Sequence, residues 1–128
     1  MEITIGMKAE VSSLVEREDT ASEVGSGSLL VYATPCMVAL MEGAACEAIA
    51  PELPEDKTSV GTYLEISHIS ATPVGLEVRA EAEVTAVEGN TITFAVSAFD
   101  EAGKIGEGIH KRVIVSSQRF LDKTYSKL

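Results

Sequence analysis

Residues 34–50 read TPCMVALMEGAACEAIA and predict a buried helix around which the rest of the chain is arranged. Thr34 and Pro35 form a helix start signal, because a hydroxyl at the N-cap satisfies free N–H groups and proline loses no hydrogen bond at the first helical position. Pro51 marks the end, since proline cannot continue a helix. The segment is apolar on almost every side, which indicates a helix enclosed by the rest of the chain.

The residues after this helix are typical of β-strands. Val, Ile, Thr and small residues alternate with polar ones in four runs, at 60–71, 75–87, 91–99 and 105–116. Short segments with turn-forming residues join the runs, which predicts an antiparallel meander of the last strands. A further strand is predicted before the helix at 8–16, followed by a loop at 17–29.

This order of elements favours an α+β architecture of the hot-dog type. One antiparallel sheet of about five strands, wrapped around a single apolar helix, is the simplest way to bury that helix. The 128 residues are enough for one such core, so residues 1–128 are predicted to form a single domain. A five-stranded sheet keeps two open edges, and we expect a second subunit to pair with an edge or to cover a face.

The charge balance argues against broad nucleic-acid binding. Twenty acidic residues against ten basic ones give a net charge of -10, whereas sequence-independent binding to nucleic acid needs a basic surface. The longest apolar stretch is interrupted by Glu42 and Glu47 and is too short to cross a bilayer. The N-terminus has no basic segment followed by an apolar one, so no signal peptide is predicted.

The two cysteines indicate a reducing compartment rather than a disulfide or a zinc site. Cys36 and Cys46 lie in one predicted helix, about 15 Å apart along its axis, which is too far for a disulfide. No cysteine or histidine cluster has the spacing of zinc ligands. We therefore expect a cytoplasmic protein that binds no metal.

Glu42 and His68 are the polar residues that fit their surroundings least. A carboxylate such as Glu42 is rarely buried among apolar residues without a partner, so it either faces solvent or a subunit interface or acts in a pocket. His68 lies within a predicted strand and is one of two histidines in the chain. It is either a structural residue or a proton-transfer group that works near neutral pH.

Three more candidates lie where a helix or a strand begins. Thr34 is predicted to cap the helix, whose N-terminal N–H groups can also hold an oxyanion. Cys36 lies in the first turn, where the helix dipole lowers the pKa of a thiol, and it is interpreted either as a nucleophile or as a packing residue. Gly61 begins a strand, where glycine indicates that a backbone or a ligand approaches closely.

A basic cluster lies on the last predicted strand and consists of His110, Lys111 and Arg112, with Lys104 just before the strand. Arginine and lysine bind phosphate and carboxylate groups, so the cluster predicts a binding patch for an anionic ligand. The alternative is a strand face that is simply exposed to solvent.

Several segments resemble the hot-dog-fold thioesterases, and among them the fluoroacetyl-CoA thioesterase-like group. The resemblance covers roughly residues 31–115, and the run HISATPVGL at 68–76 together with the helix upstream is its most specific part. The matching segments are 37–42, 61–62, 68–76, 87–89 and 105–110. The resemblance implies a thioesterase whose catalytic residues are Thr34, Glu42 and His68, with Gly61 against the acyl group.

The resemblance also implies the substrate and the assembly. The substrate would be a short-chain acyl-CoA, hydrolysed to the free acid and CoA without a separate cofactor. His110, Lys111 and Arg112 then become candidates for the CoA phosphates. In such enzymes the pocket lies between subunits, which implies a homodimer or a tetramer. The fluoroacetyl-specific enzyme carries an aromatic lid residue before the helix, whereas residues 25–30 read GSGSLL, so the thioester class is implied without the fluoroacetyl preference.

Three other functions stay open from the sequence. A hydratase or dehydratase acting on an acyl thioester fits the same fold, but it would pair a histidine with an aspartate on the helix, and this helix has none. A non-catalytic acyl-CoA binding module would not need a buried Glu42. A structural interaction protein would bind no CoA at all.

Overall fold

The central helix is present as α2, Thr34–Ile49, in the computed structural model, which describes residues 2–128. It lies against an antiparallel sheet of five strands, as predicted. The strands are β1 (Lys8–Leu14), β2 (Lys57–His68), β3 (Glu77–Glu88), β4 (Thr91–Asp100) and β5 (Gly103–Ser116). Two further helices are the short α1 (Ala21–Val24) and the C-terminal α3 (Ser117–Tyr125).

The strand order across the sheet is β1-β3-β4-β5-β2, and every pair is antiparallel. β3, β4 and β5 form the predicted meander, but β2 does not pair with β3. It pairs with β5 at the far edge, so residues 69–76 form a crossover rather than a hairpin turn. The meander prediction was wrong for β2, because turn-forming residues in a connector do not determine which strand becomes the neighbour.

The core lies between α2 and the inward faces of β3 and β4. Alternate residues of these two strands point inward and are buried, namely Val78, Ala80, Ala82, Val84, Ile92, Phe94, Val96 and Ala98. They pack with one face of the helix, formed by Met37, Met41, Ala44, Ala45, Ala48 and Ile49. Because alanine and valine predominate on the strands, the helix can lie close to the sheet.

The opposite face of α2 is not enclosed, contrary to the prediction from its composition. Ala39 is exposed, and Val38, Glu42 and Gly43 are only half-buried. The sequence could not distinguish the two faces, because apolar residues occupy both of them. Within one chain the sheet covers one side of the helix and leaves the other side open.

Glycines let β5 approach its neighbours closely. A Cβ atom on Gly106 would stand 2.6 Å from Sδ of Met37, and one on Gly108 would overlap the carbonyl oxygen of Glu65 in β2. Gly106 also pairs with His68, the last residue of β2. The close contact therefore fixes the end of β2, and with it His68, against the sheet and the helix.

The C-terminal residues 117–128, whose role the sequence leaves open, contain α3. This helix lies at the end of β5 and exposes the large apolar side chains of Phe120, Leu121 and Tyr125. No helix within residues 2–128 is long and apolar enough to cross a membrane.

Replacing Gly108 with alanine tests the close approach of β2 and β5. The added methyl group overlaps the carbonyl oxygen of Glu65, a backbone atom that cannot move without disturbing the strand pair. We expect Gly108→Ala to lower the free energy of unfolding by about 1–3 kcal/mol, the usual range for an overfilled interior. Chemical denaturation measures this loss.

Gly61→Ala is the matched control in the neighbouring strand. Its methyl group first meets the carboxylate end of Glu42, 2.6 Å away, and a carboxylate at the end of a flexible side chain can rotate aside. We expect a smaller loss of stability than for Gly108→Ala. Equal losses in the two variants would contradict this account of the strand pair.

Candidate active site

Thr34 and His68 form a hydrogen bond at the N-terminus of α2. Oγ1 of Thr34 lies 2.7 Å from Nδ1 of His68. The predicted N-cap is wrong by one residue, because Ala33 holds that position and Thr34 is the first residue of the helix, ahead of Pro35. The hydroxyl group therefore caps no N–H group and pairs with the imidazole instead.

Backbone hydrogen bonds on both sides hold this pair in place. His68 ends β2, and directly after it the N–H of Ile69 donates to the carbonyl of Ile105 at 2.7 Å. Just before α2, the N–H of Tyr32 donates to the carbonyl of Thr72 at 2.8 Å. The chain leaving β2 is thus tied to the chain entering α2, and the imidazole faces the first turn of the helix.

His68 has one ring nitrogen without a protein partner. The residue is half-buried, and desolvation lowers the pKa of His68 below its usual value of 6.5, so it is neutral near pH 7. Its Nε2 atom is buried and has no hydrogen-bond partner among residues 2–128. An imidazole held at Nδ1 can take up or deliver a proton at Nε2, as a general acid–base group must.

Glu42 lies in a second cluster, about two turns further along α2. Its Oε2 atom is 3.4 Å from Nη1 of Arg112, and its side chain is 36% exposed. Gly61 makes room for this oxygen, since a Cβ atom there would stand 2.6 Å from it. β2 has a bulge between Gly61 and Tyr63, which bends the strand at this point. The close approach predicted at Gly61 is therefore made by a carboxylate of the same chain.

The predicted patch of His110, Lys111 and Arg112 does not exist as one surface. His110 is 0% exposed and Arg112 is 7% exposed, because both point inward from β5. They are therefore not available to CoA phosphates, and this part of the prediction was wrong. Lys111 alone points outward, with its ammonium 5.4 Å from the centre of the Tyr63 ring. Strand alternation is the signal that separates Lys111 from its two neighbours.

His110 is held as a neutral imidazole. Its Nδ1 donates to the carbonyl oxygen of Tyr63 at 2.9 Å, and its Nε2 accepts from Nη1 of Arg112 at 3.1 Å. A carbonyl can only accept and a guanidinium can only donate, so the ring carries one proton, on Nδ1. Desolvation also lowers the pKa of His110, which favours the neutral ring as well. The 3.9 Å distance from Nε2 to Oε2 of Glu42 is therefore not an ion pair.

Cys36 lacks the chemistry of an activated nucleophile. Burial and, to a smaller extent, the nearby Asp19 raise the pKa of the Cys36 thiol, whereas a lower pKa was expected at a helix N-terminus. Cys36 and Cys46 are both free thiols. Within residues 2–128 no group of three or more acidic, histidine or cysteine side chains is placed to hold a metal ion.

The N-terminus of α2 offers a single N–H group rather than a whole turn of them. The N–H groups of Cys36 and Met37 donate to the carbonyl of Ala33, and Pro35 has no N–H. Among the first four residues of α2, only Thr34 has an N–H group for which residues 2–128 provide no backbone acceptor. This N–H and the positive end of the helix dipole could stabilise a carbonyl oxygen that gains negative charge.

One chain keeps its two clusters apart. Glu42 lies eight positions after Thr34 in α2, about 12 Å along a helix axis. Groups that act on the same atom must come within about 3–3.5 Å of it. No hydrogen bond within residues 2–128 joins Glu42 to Thr34 or His68. A single chain therefore presents a hydroxyl–imidazole pair and a carboxylate–guanidinium pair as two separate clusters.

One family model and several known proteins match the chain. The model described as fluoroacetyl-CoA-specific thioesterase matches residues 15–118. A fluoroacetyl-CoA thioesterase from Streptantibioticus cattleyicolor is 41% identical over 97 residues, which are 76% of this chain and 70% of that protein. A variant of a fluoroacetyl-CoA thioesterase solved with acetyl-CoA is 33% identical, with a TM-score of 0.93 over 98% of each chain. A hot-dog-like protein from Thermanaerovibrio acidaminovorans, 24% identical, shares the fold with a TM-score of 0.87 over 97% of this chain and 92% of its own.

Both histidines should titrate below pH 6.5. Burial disfavours the charged ring in each case, so NMR titration of the two imidazoles should give pKa values under 6.5. The unfolded chain takes up these protons near pH 6.5 while the folded chain does not. The free energy of unfolding should therefore have its full value above that pH and should decrease as the pH falls below it.

Comparison with the His68→Gln variant shows which NMR signal belongs to which histidine, and this variant also serves as the control. With one histidine left, the remaining signal belongs to His110. A pKa above 6.5 for His110 would show that its surroundings favour the charged ring, and it would contradict the hydrogen-bond assignment given above.

Proposed function

The chain belongs to the fluoroacetyl-CoA-specific thioesterase family and is an acyl-CoA thioesterase of the hot-dog fold, and on that basis we propose that Thr34, Glu42 and His68 carry its reaction. The reaction is hydrolysis of a short-chain acyl-CoA to the free acid and CoA. The observation that carries the proposal is the 2.7 Å contact of Thr34 with His68, where a hydroxyl and a neutral imidazole meet beside the free N–H of a helix N-terminus.

Each residue has a role that its surroundings support. Glu42 either attacks the thioester carbonyl or takes a proton from water. The carbonyl oxygen lies against the N–H of Thr34 while it carries negative charge. Water supplies the proton that the departing CoA thiolate takes up; His68 carries this proton at Nε2, and the Thr34 hydroxyl orients the imidazole at Nδ1. In the direct route a water molecule then cleaves the anhydride between the acyl group and Glu42, which releases the acid and regenerates the carboxylate.

We propose a homodimer in which the site is shared between two chains. In one chain Thr34 and Glu42 lie about 12 Å apart along α2, too far to act on one carbonyl group. A second chain that covers the open face of α2 can place Glu42 of the partner subunit opposite the Thr34–His68 pair. The exposed Ala39 and half-buried Val38 on that face support such an interface.

The proposed acyl group is short and is not restricted to fluoroacetyl. A similar thioesterase is solved with acetyl-CoA, which supports a small acyl group for this chain. Residues 25–30 carry no aromatic side chain, and Leu29 and Leu30 are exposed there. Lys111 remains the candidate for the CoA phosphates, because it points outward from β5. Lys104 is a weaker candidate, since it pairs with Glu107 at 2.6 Å.

The proposed reaction needs no metal and no cofactor, because water is the second substrate and CoA is part of the first. The free thiols Cys36 and Cys46 fit a reducing compartment such as the cytoplasm. A hydratase is disfavoured, since α2 carries no aspartate to pair with a histidine.

Thiol release from a panel of acyl-CoA esters, from acetyl upward, tests the catalytic residues. Glu42→Gln keeps the size of the side chain but removes its charge, and we expect kcat to fall by about 100-fold or more. His68→Ala should cause a similar fall. Glu47→Gln, an exposed carboxylate of the same helix, is the matched control and should retain wild-type turnover.

Two results would refute the catalytic proposal. If the wild-type protein binds CoA esters without cleaving any of them, a binding module becomes the better description. If Glu42→Gln turns over as fast as Glu47→Gln, the carboxylate is not part of the reaction.

Mixing two inactive variants tests the shared site. A heterodimer of Glu42→Gln with His68→Ala keeps one complete site, which joins the intact His68 of one chain to the intact Glu42 of the other. With random pairing, half of the dimers are heterodimers and one of their two sites works, so we expect about a quarter of wild-type activity. The variant that carries both substitutions, mixed with either single variant, should stay inactive.

The outcome is read only after native mass spectrometry has confirmed that heterodimers are present. Heterodimers without restored activity would show that each chain holds a complete site of its own. A protein that is fully active as a monomer would contradict the shared site in the same way.

A further inference from the structure

Beneath Glu42 lies a buried polar cluster that the proposed reaction does not itself use, formed by Ser59, His110 and Arg112. We propose that Ser59 and His110 are positioning residues, which hold the guanidinium of Arg112 in one orientation against Glu42. This inference rests on the proposed function, because it gives Glu42 the catalytic role. It assigns the two residues a role in orienting the carboxylate rather than in binding CoA.

Arg112 is held from three sides. Its Nε donates to Oγ of Ser59 at 2.8 Å, and its Nη2 donates to the backbone carbonyl of the same serine at 2.9 Å. Its Nη1 donates to Nε2 of His110 at 3.1 Å and to Oε2 of Glu42 at 3.4 Å. The planar guanidinium has fixed directions for its N–H groups, so the first three bonds determine where the last one points.

His110 supplies an acceptor of a kind that few side chains can offer at this place. Its Nδ1–H is engaged by the carbonyl of Tyr63, which forces Nε2 to be the unprotonated nitrogen. The ring is fully buried and stacks on Phe94, with centroids 6.1 Å apart, so it cannot rotate away from Arg112. A buried side chain of this kind cannot touch the substrate and acts through Arg112.

Gly61 lines the other side of this niche and leaves space for the carboxylate. A Cβ atom there would stand 2.6 Å from Oε2 of Glu42 and 3.2 Å from Cε1 of His110. The carboxylate therefore lies between the backbone of β2 and the guanidinium, while its side chain is 36% exposed. The cluster sets the position of the one carboxylate that must reach the acyl group.

Two substitutions of His110 separate its two hydrogen bonds. The amide of His110→Asn can still donate to the Tyr63 carbonyl, but it is too short to accept from Arg112. The amide of His110→Gln reaches the position of Nε2 and can accept from Arg112, but it gives up the Tyr63 bond. We expect His110→Asn to lower kcat by about 100-fold with KM little changed, and His110→Gln to restore most of it, because small displacements of a reacting group are costly.

A double substitution distinguishes positioning from general destabilisation. Arg112→Met should lower kcat by itself, and adding His110→Asn to it should cause no further fall, because the histidine acts only through the guanidinium. Ser59→Ala should behave as His110→Asn does, alone and together with Arg112→Met. Thermal denaturation of every variant shows which of them are folded at the assay temperature.

The inference is overturned if His110→Asn and His110→Gln lose kcat equally, or if the effects of His110→Asn and Arg112→Met add up. Should His110→Asn fail to fold, Ser59→Ala in the two backgrounds decides the same question. The Glu42→Gln variant keeps the two hypotheses separate. If Glu42→Gln is inactive while His110→Asn is fully active, only the positioning role is wrong; if Glu42→Gln is active, the proposed reaction itself is wrong.

Discussion

Alanine and valine on the inward faces of β3 and β4 let the sheet close over one side of α2, and the site depends on this one-sided packing. The buried face, which includes Met37 and Met41, holds the helix in register with the sheet. That register fixes the opposite face, where Glu42 meets Gly61 and Arg112, while Thr34 at the start of the helix meets His68. A larger side chain on the sheet would tilt the helix and would move the residues of both clusters together.

Arg112 shows how this fold keeps a charge in its interior. Removing a guanidinium from water is unfavourable by several kcal/mol unless its N–H groups find acceptors, and those of Arg112 find Ser59, His110 and Glu42. Replacing the cluster with apolar residues of equal volume would often be neutral or stabilising. Stability therefore does not explain its presence, whereas the proposed orienting of the half-exposed Glu42 carboxylate does. His110 contributes because it is neutral, since a second cation beside Arg112 would oppose the arrangement.

The sequence predicted the helix, the number of strands and the residues that stand out, but not how they are arranged. Periodicity located α2 and the meander because both depend on local patterns. The pairing of β2 with β5 depends on contacts between distant residues, and so does the meeting of Thr34 with His68, which only the resemblance placed in one site. The error on His110 and Arg112 was avoidable, since alternate residues of a strand point to opposite faces and Lys111 lies between them. Ser59 could not have been found, because a buried serine in a strand is ordinary.

The spacing of Thr34 and Glu42 also constrains how two chains can share a site. In a twofold dimer every contact between two different residues occurs twice. If one residue of the first chain touches another residue of the second, the same pair also meets with the chains exchanged. If two copies of α2 lie antiparallel across such an axis, Thr34 of each chain faces Glu42 of the partner subunit when the axis passes midway between them, at Val38. That residue is half-buried, its neighbour Ala39 is exposed, and both side chains are small enough to let two helices approach closely. In the proposed dimer, the spacing of eight positions that keeps the two clusters apart within one chain would bring them together between the chains, once on each side of the axis.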